Sequence, residues 1–159
     1  MMEKPTTNRQ NTEQKRGRQA WQDVRVIAAL GEKEQKEYRS LARGLNAMIQ
    51  INGLGQTLGF LKAKGKNKDE RGQPHKNAHS YLLGHLTHWM HDFFDKNIPD
   101  VTNDVYDGLL EWLLLKETTS SADYRRATTE CLAFGTWLRR FAEAELKDPE
   151  TPAPQGETV

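Results

Sequence analysis

Between residues 75 and 91 the chain carries five histidines, His75, His79, His85, His88 and His91, with Asp92 and Asp95 just beyond. Imidazoles and carboxylates at helical spacing are the ligands from which a zinc or nickel site is built. His85, His88 and Asp92 share one helix face, within an arc of roughly 60° at about 100° per residue. Against a metal site, no His-Glu-x-x-His pair occurs, no cysteine partner is evident, and one helix rarely supplies three ligands unaided. The polar face of a surface helix contains the same residues, and that is the preferred reading. Other chemistries fail sooner. Gly53-x-Gly55-x-x-x-Gly59 is one residue too long for a dinucleotide fingerprint, and no strand precedes it. No Walker Gly-Lys-Ser/Thr and no Gly-x-Ser-x-Gly is present. The carboxylates of residues 92–111 are spread along helix faces, not set in an apolar pocket that would push their pKa values apart. The chain reads as a non-enzyme, with no cofactor and no metal.

The cations are better candidates. Lys36, Arg39 and Arg43 stand three and four residues apart, hence on one side of a helix. Lys62, Lys64, Lys66 and Lys68 follow at the close of the next, with Arg71 and Lys76 in the loop beyond. Phosphate contacts from such side chains give sequence-independent affinity that weakens with salt. Aromatics are not interleaved with them, so base stacking is not implied. Glu32 can neutralise Lys36 and, in the weaker order, Lys33 can pair with Glu37, which leaves Arg39 and Arg43 free for a partner. A solvated lysine-rich surface is the competing explanation.

The elements that must hold these residues are helices. Trp21, Val24, Ile27 and Ala28 mark the apolar face of a first helix, about 18–30, with Asp23 and Arg25 off that face. Tyr38, Leu41, Leu45, Met48 and Ile49 mark a second, about 33–51, and Leu54, Thr57, Leu58 and Leu61 a third, about 53–64. Asn52 or Gly53 serves as the cap between them, and Gly65 stands where a helix end favours a left-handed residue. Gly55 and Gly59, four apart, would let a neighbouring helix approach. A fourth helix, about 77–96, turns Ala78, Leu82, Leu86, Trp89 and Phe93 inward, with Tyr81, His85, His88 and Asp92 away from them. Pro99 prevents its continuation. A fifth, about 103–117, is capped by Thr102 or Asn103, with Val105, Leu109, Trp112 and Leu113 inward and Asp104, Asp107 and Glu111 outward. The last, about 121–147, is capped by Ser120 or Ser121 and buries Tyr124, Ala127, Thr128, Cys131, Leu132, Gly135, Leu138 and Ala142.

At 159 residues the chain is one domain's worth, with 36% apolar and 28% charged residues. The expected fold is all-α, a single-domain bundle of about six helices over residues 16–147. Residues 1–15 are an apolar-poor arm ending in Lys15, Arg16 and Arg18, and residues 148–159 an acidic Pro-rich tail; both are expected to be disordered. No run is long and apolar enough for a membrane span, and one buried-type cysteine points to a reducing, cytoplasmic setting. The net charge of +1 hides an asymmetry: residues 33–76 carry ten Lys and Arg against four acids, residues 92–118 two against seven. One face suits a polyanion and the acidic helix 103–117 suits a basic protein neighbour.

The stretch from Tyr38 to Lys66, YRSLARGLNAMIQINGLGQTLGFLKAKGK, resembles the small subunit of the type III-B (Cmr) RNA-guided CRISPR effector. The shared features are a helix running into an apolar segment, Asn52-Gly53-Leu54, the pair Phe60-Leu61 and a lysine-rich exit, about thirty residues in all. Arg18-Gln19-Ala20-Trp21 and the segment from Cys131 to Phe141 match more loosely. The resemblance implies a non-catalytic subunit that stacks in several copies along the guide–target RNA duplex and touches its backbone, while cleavage belongs to other subunits. It implies as partners those subunits, further copies of the chain, guide RNA and target RNA. The residues it carries over are Arg39, Arg43, Lys62 and Lys64; Lys36, Lys66, Lys68 and Arg71 extend the cationic set beyond the matched positions. The alternative is a helical protein–protein adaptor with no nucleic-acid contact.

Overall fold

Three of the helices begin at the same local device. Asn11, Asn77 and Ser120 each accept a hydrogen bond from the backbone N–H three residues on, while the side chains of Gln14, Ser80 and Asp123 accept one back from the cap N–H. Such reciprocal boxes satisfy two orphan donors at once. In the computed structural model, which describes residues 10–66, 71–72, 76–103 and 105–148, the order is α1 (Thr12–Ala28), α2 (Glu32–Asn52), α3 (Leu54–Gly65), α4 (Ala78–Phe93), α5 (Gly108–Leu114) and α6 (Ser121–Glu145). This is the all-α single-domain bundle the pattern predicts, and no strand occurs among the described residues.

The helices share one core. α6 packs along α1 and α2, α3 lies on α4, and α2 touches α3, α4 and α6. Val24, Ile27, Tyr38, Leu45, Leu58, Leu82, Leu86, Met90, Cys131, Phe134 and Leu138 are all fully buried between them. Cys131 is the small core residue its context predicts, and burial pushes its thiol pKa well up.

Several expectations change. α1 starts at Thr12, not near 18, because Asn11 and Gln14 form a capping box and Arg16 clasps Glu130 of α6 (2.6 and 2.8 Å). Residues 12–15 are therefore helix and not arm; residues 1–9 and 149–159 lie outside the described residues. Asp23 turns inward, buried beside Gln19, whereas Trp21 is 45% exposed and stacks on Phe141. On α6, Ala127, Cys131, Gly135, Leu138 and Ala142 are buried as expected, Tyr124, Thr128 and Leu132 are half-buried, and Glu130 and Phe134 join the core. Glu130 is held there by Arg16 and by the Trp89 indole, which donates at 2.8 Å.

α5 departs most, with seven residues in place of about fifteen. Thr102 and Asn103 do not cap it. The Thr102 N–H donates to the Val105 carbonyl (2.8 Å), and Val105 is exposed instead of inward. The backbone at Gly108 presses so closely on Pro99 that a Cβ there would sit 2.2 Å from its carbonyl oxygen. Contacts along this segment, including the Thr87 hydroxyl donating to the Tyr106 carbonyl (3.0 Å), outweigh the helical propensity of residues 103–107. Asp104 lies outside the described residues.

Candidate nucleic-acid interface

The α2–α3 hairpin is pinned at its corner. Gly53 adopts φ +88°, a conformation costly for a side chain, and its N–H donates to the Ile49 carbonyl (2.8 Å) to close α2. Its own carbonyl accepts from the Thr57 hydroxyl at 2.9 Å. The Gly55 N–H donates to the Tyr124 hydroxyl of α6 (2.7 Å), and a Cβ at Gly55 would lie 2.9 Å from that oxygen. Gly55 thus fits the expected close approach. Gly59 does not, since nothing lies within 4 Å of a Cβ placed there. Gly65 is not a left-handed cap either. It belongs to α3, and a Cβ there would stand only 3.2 Å from the Ser80 backbone nitrogen. The Asn77 amide donates to the Lys64 carbonyl (2.8 Å), fixing the exit of α3 on the entry of α4.

On this frame the predicted cations separate into two groups with different neighbours. Lys36 pairs with Glu32 (2.9 Å), as expected, and lowers that carboxyl's pKa through the hydrogen bond and its charge. Arg39 is not free. It meets Asp148 at 2.8 Å and the Glu143 carbonyl at 3.4 Å, and its side chain is only 14% exposed. Arg43 lies 4.0 Å from Glu143, which also takes Arg139 at 3.2 Å. The helical spacing that aligned Arg39 and Arg43 is correct, but it aims them at the C-terminal end of α6. Lys62, Lys64 and Lys66 form the second group, all exposed at the close of α3. Lys62 pairs with Asp107, so part of the acidic segment neutralises part of the basic one. Lys64 and Lys66 have no ion pair among the described residues. Arg71 is exposed in a turn, and Lys68 lies outside the described residues.

The histidine face is dismantled by packing. His85 does not point outward with His88; its Nδ1 lies 2.7 Å from the hydroxyl of buried Tyr38. Burial, with His88 and Lys76 nearby, drives the His85 pKa down to about 3, and burial raises that of Tyr38. The imidazole is therefore neutral and shares one hydrogen bond with the phenol. His88 faces Asp100 (2.9 Å) and Asp92 (3.9 Å). Its pKa is raised, because those carboxylates outweigh a burial effect of opposite sign. Among the described residues no three His, Cys, Asp or Glu side chains are placed to hold one metal ion. His75 lies outside them.

Fold and surface together define a small all-helical module with cationic edges. The profile of the family described as "CRISPR-associated protein (Cas_Cmr5)" matches residues 12–145. The CRISPR system Cmr subunit Cmr5 of Thermotoga maritima is 31% identical over 129 residues, covering 80% of this chain and 81% of the relative. The crystal structure of a CRISPR-associated Cmr5 family protein from Thermus thermophilus superimposes with a TM-score of 0.61 at 25% identity, over 87% of this chain and 99% of that one. The chain belongs to the Cmr5 family, the small subunits of type III-B (Cmr) CRISPR complexes, and its partners are other Cmr subunits.

Proposed function

We propose that the chain is a non-catalytic subunit that stacks in several copies along the guide–target RNA duplex and grips its backbone from the close of α3. The observation that carries this is the exposed lysine edge Lys62, Lys64 and Lys66, two of whose members have no carboxylate partner among the described residues. Backbone contact by lysines suits a task in which guide pairing, not the protein, reads the sequence. Lys36, Arg39 and Arg43 are secondary: their phosphate contacts would have to displace Glu32, Asp148 and Glu143. Copies meet through the apolar side chains left outside the core, Ile51 (79% exposed) at the end of α2 and Leu114 and Leu115 (58% and 74%) at the end of α5. The setting is cytoplasmic; no helix among the described residues is long and apolar enough to cross a membrane.

The direct test is target-RNA binding by the guide-loaded complex, assembled with and without this chain at one near-physiological salt concentration. Omission should loosen target binding while slicing persists. Within the chain, Lys64→Glu with Lys66→Glu should reproduce most of that loss and flatten the salt dependence, at an unchanged melting temperature. Lys62 is a poorer test, since reversing it sets a carboxylate against Asp107. Unchanged RNA binding by the double variant would leave the protein-only adaptor, which the self-neutralised Arg39 and Arg43 favour.

A further inference from the structure

A cavity of about 640 Å³ opens between α1, the C-terminal end of α4 and α6, away from the hairpin just described. Lys15 and Arg18 project into it from α1 and Arg126 from α6, and Trp89 and Phe93 form its apolar wall. All three cations are exposed and none has a carboxylate within ion-pair distance among the described residues, unlike Lys36, Arg39 and Lys62. The neighbouring cation, Arg16, is the one consumed internally, by Glu130. Arg126 is held against aromatic rings: its guanidinium carbon lies 4.8 Å from the Phe93 ring centre and 4.7 Å from that of Phe94.

The lining is not a plain anion trap. Asp92 and Asp95 stand on the α4 side and Gln22 on the α1 side. Asp92 is already shared between His88 and Lys96, each 3.9 Å away. A ligand that satisfies this set needs negative charge for the cations, a flat π-face for Phe93 and Arg126, and N–H donors for the carboxylates. A nucleotide has all three: phosphate, base ring and base N–H donors. The volume lies within the range of about 300–1,000 Å³ usual for small-ligand sites, room for one or two nucleotides and too little for a duplex.

We infer that the cavity between α1, α4 and α6 binds an unpaired RNA nucleotide, its phosphate on Lys15 and Arg18 and its base against Phe93 and the guanidinium of Arg126. Stacking on aromatic and arginine planes is how single-stranded RNA is held where base edges are free, whereas a paired helix offers backbone and shape alone. The inference shares with the proposed function the premise that the chain meets RNA, but assigns a different form of RNA to a different face.

The experiment compares the full chain, Arg18→Glu with Arg126→Glu, and Lys64→Glu with Lys66→Glu, by fluorescence anisotropy at one salt concentration. The probes are a short labelled single-stranded RNA of mixed sequence and a blunt RNA duplex of the same length. The pocket variant should lose about tenfold in affinity for the single strand and keep duplex binding, while the lysine variant should do the reverse. Phe93→Leu, which keeps an apolar side chain but removes the ring, should weaken the single strand alone and serves if the charge reversals disturb folding. Wild-type affinity for the single strand in both the pocket variant and Phe93→Leu overturns the inference and leaves the duplex reading intact. Loss of both probes to the same extent also overturns it, because the cavity would then be part of a general cationic surface. Wild-type RNA binding with failure to join the other Cmr subunits would make the cavity a protein-docking site, again against it. A lysine variant that keeps duplex binding while the pocket variant loses the single strand would sink the lysine-edge reading and support the cavity.

Discussion

Asp23 shows what one buried carboxyl does to the molecule. It is 7% exposed, accepts from the Gln19 amide at 2.8 Å, and its second oxygen lacks a hydrogen-bond partner. Burial raises its pKa to about 7, against the smaller opposing effects of Gln19 and His88. The fold therefore prefers the protonated acid. Its contribution is fully present below the unfolded value near 4 and is lost as pH rises through about 7. At about 1.4 kcal/mol per pKa unit the difference is of the order of 4 kcal/mol. Asp23→Asn, a permanent mimic of the protonated state, should melt several degrees above the wild type at pH 8 and level with it near pH 3. Thermal denaturation at the two pH values checks this; an equal offset at both would show that the ionisation is not felt. His85 acts in the opposite sense. Its lowered pKa makes stability fall as pH drops through the range from about 6.5 to about 3, as the unfolded chain takes up a proton the folded one refuses.

At the scale of the helix, Gly55 and Gly59 look alike in the sequence and differ in their surroundings. A Cβ at Gly55 meets the Tyr124 hydroxyl at 2.9 Å, the oxygen that also receives the Gly55 N–H. At Gly59 it meets nothing within 4 Å. Gly55→Ala should cost about 1–3 kcal/mol, because the Tyr124 hydroxyl must move off and its hydrogen bond with the Gly55 N–H is disturbed. Gly59→Ala should add about 0.5–1 kcal/mol by lowering the entropy of the unfolded chain within a helix interior. Denaturant midpoints of the two variants should move in opposite directions. Movement in the same direction would mean that helix propensity and not the α3–α6 contact governs this segment. α3, which ends in Lys62, Lys64 and Lys66, is held chiefly by its packing on α4, with the Gly55–Tyr124 hydrogen bond tying its start to α6.

For the whole molecule the question is how a bundle this small sits in a larger assembly. Its core is closed, yet Ile51, Leu114 and Leu115 remain outside it. The Leu114 side chain lies 3.6 Å from the Cβ position of Gly55, so these residues border the corner of the same hairpin that presents the lysines. Leu115→Glu should leave the isolated chain's melting temperature within about 1 °C, since a surface change away from packing costs little. In the reconstituted complex it should lower the number of copies of this subunit retained, read by native mass spectrometry. Full occupancy with Leu115→Glu would overturn the copy-to-copy contact proposed for these residues.

Much of this molecule was legible in its sequence. Apolar periodicity located all six helices, and Ser120 announced the start of the last, because spacing and capping act within a few residues. The stretch Tyr38–Lys66 identified the family. What periodicity could not decide is which side chains the folded chain uses on itself. Arg39 reaches Asp148, more than a hundred residues on; Lys62 meets Asp107; and His85 turns in to Tyr38. Nor could it foresee that Pro99 and Gly108 would cut α5 to seven residues. The cluster Lys15, Arg16 and Arg18 was visible as charge, but only the packing of α1 on α6 assigned Arg16 to Glu130 and placed Lys15 and Arg18 with Arg126 around one cavity. Local spacing settles which face of a helix a residue occupies; what stands opposite that face is set by contacts between segments distant in the chain.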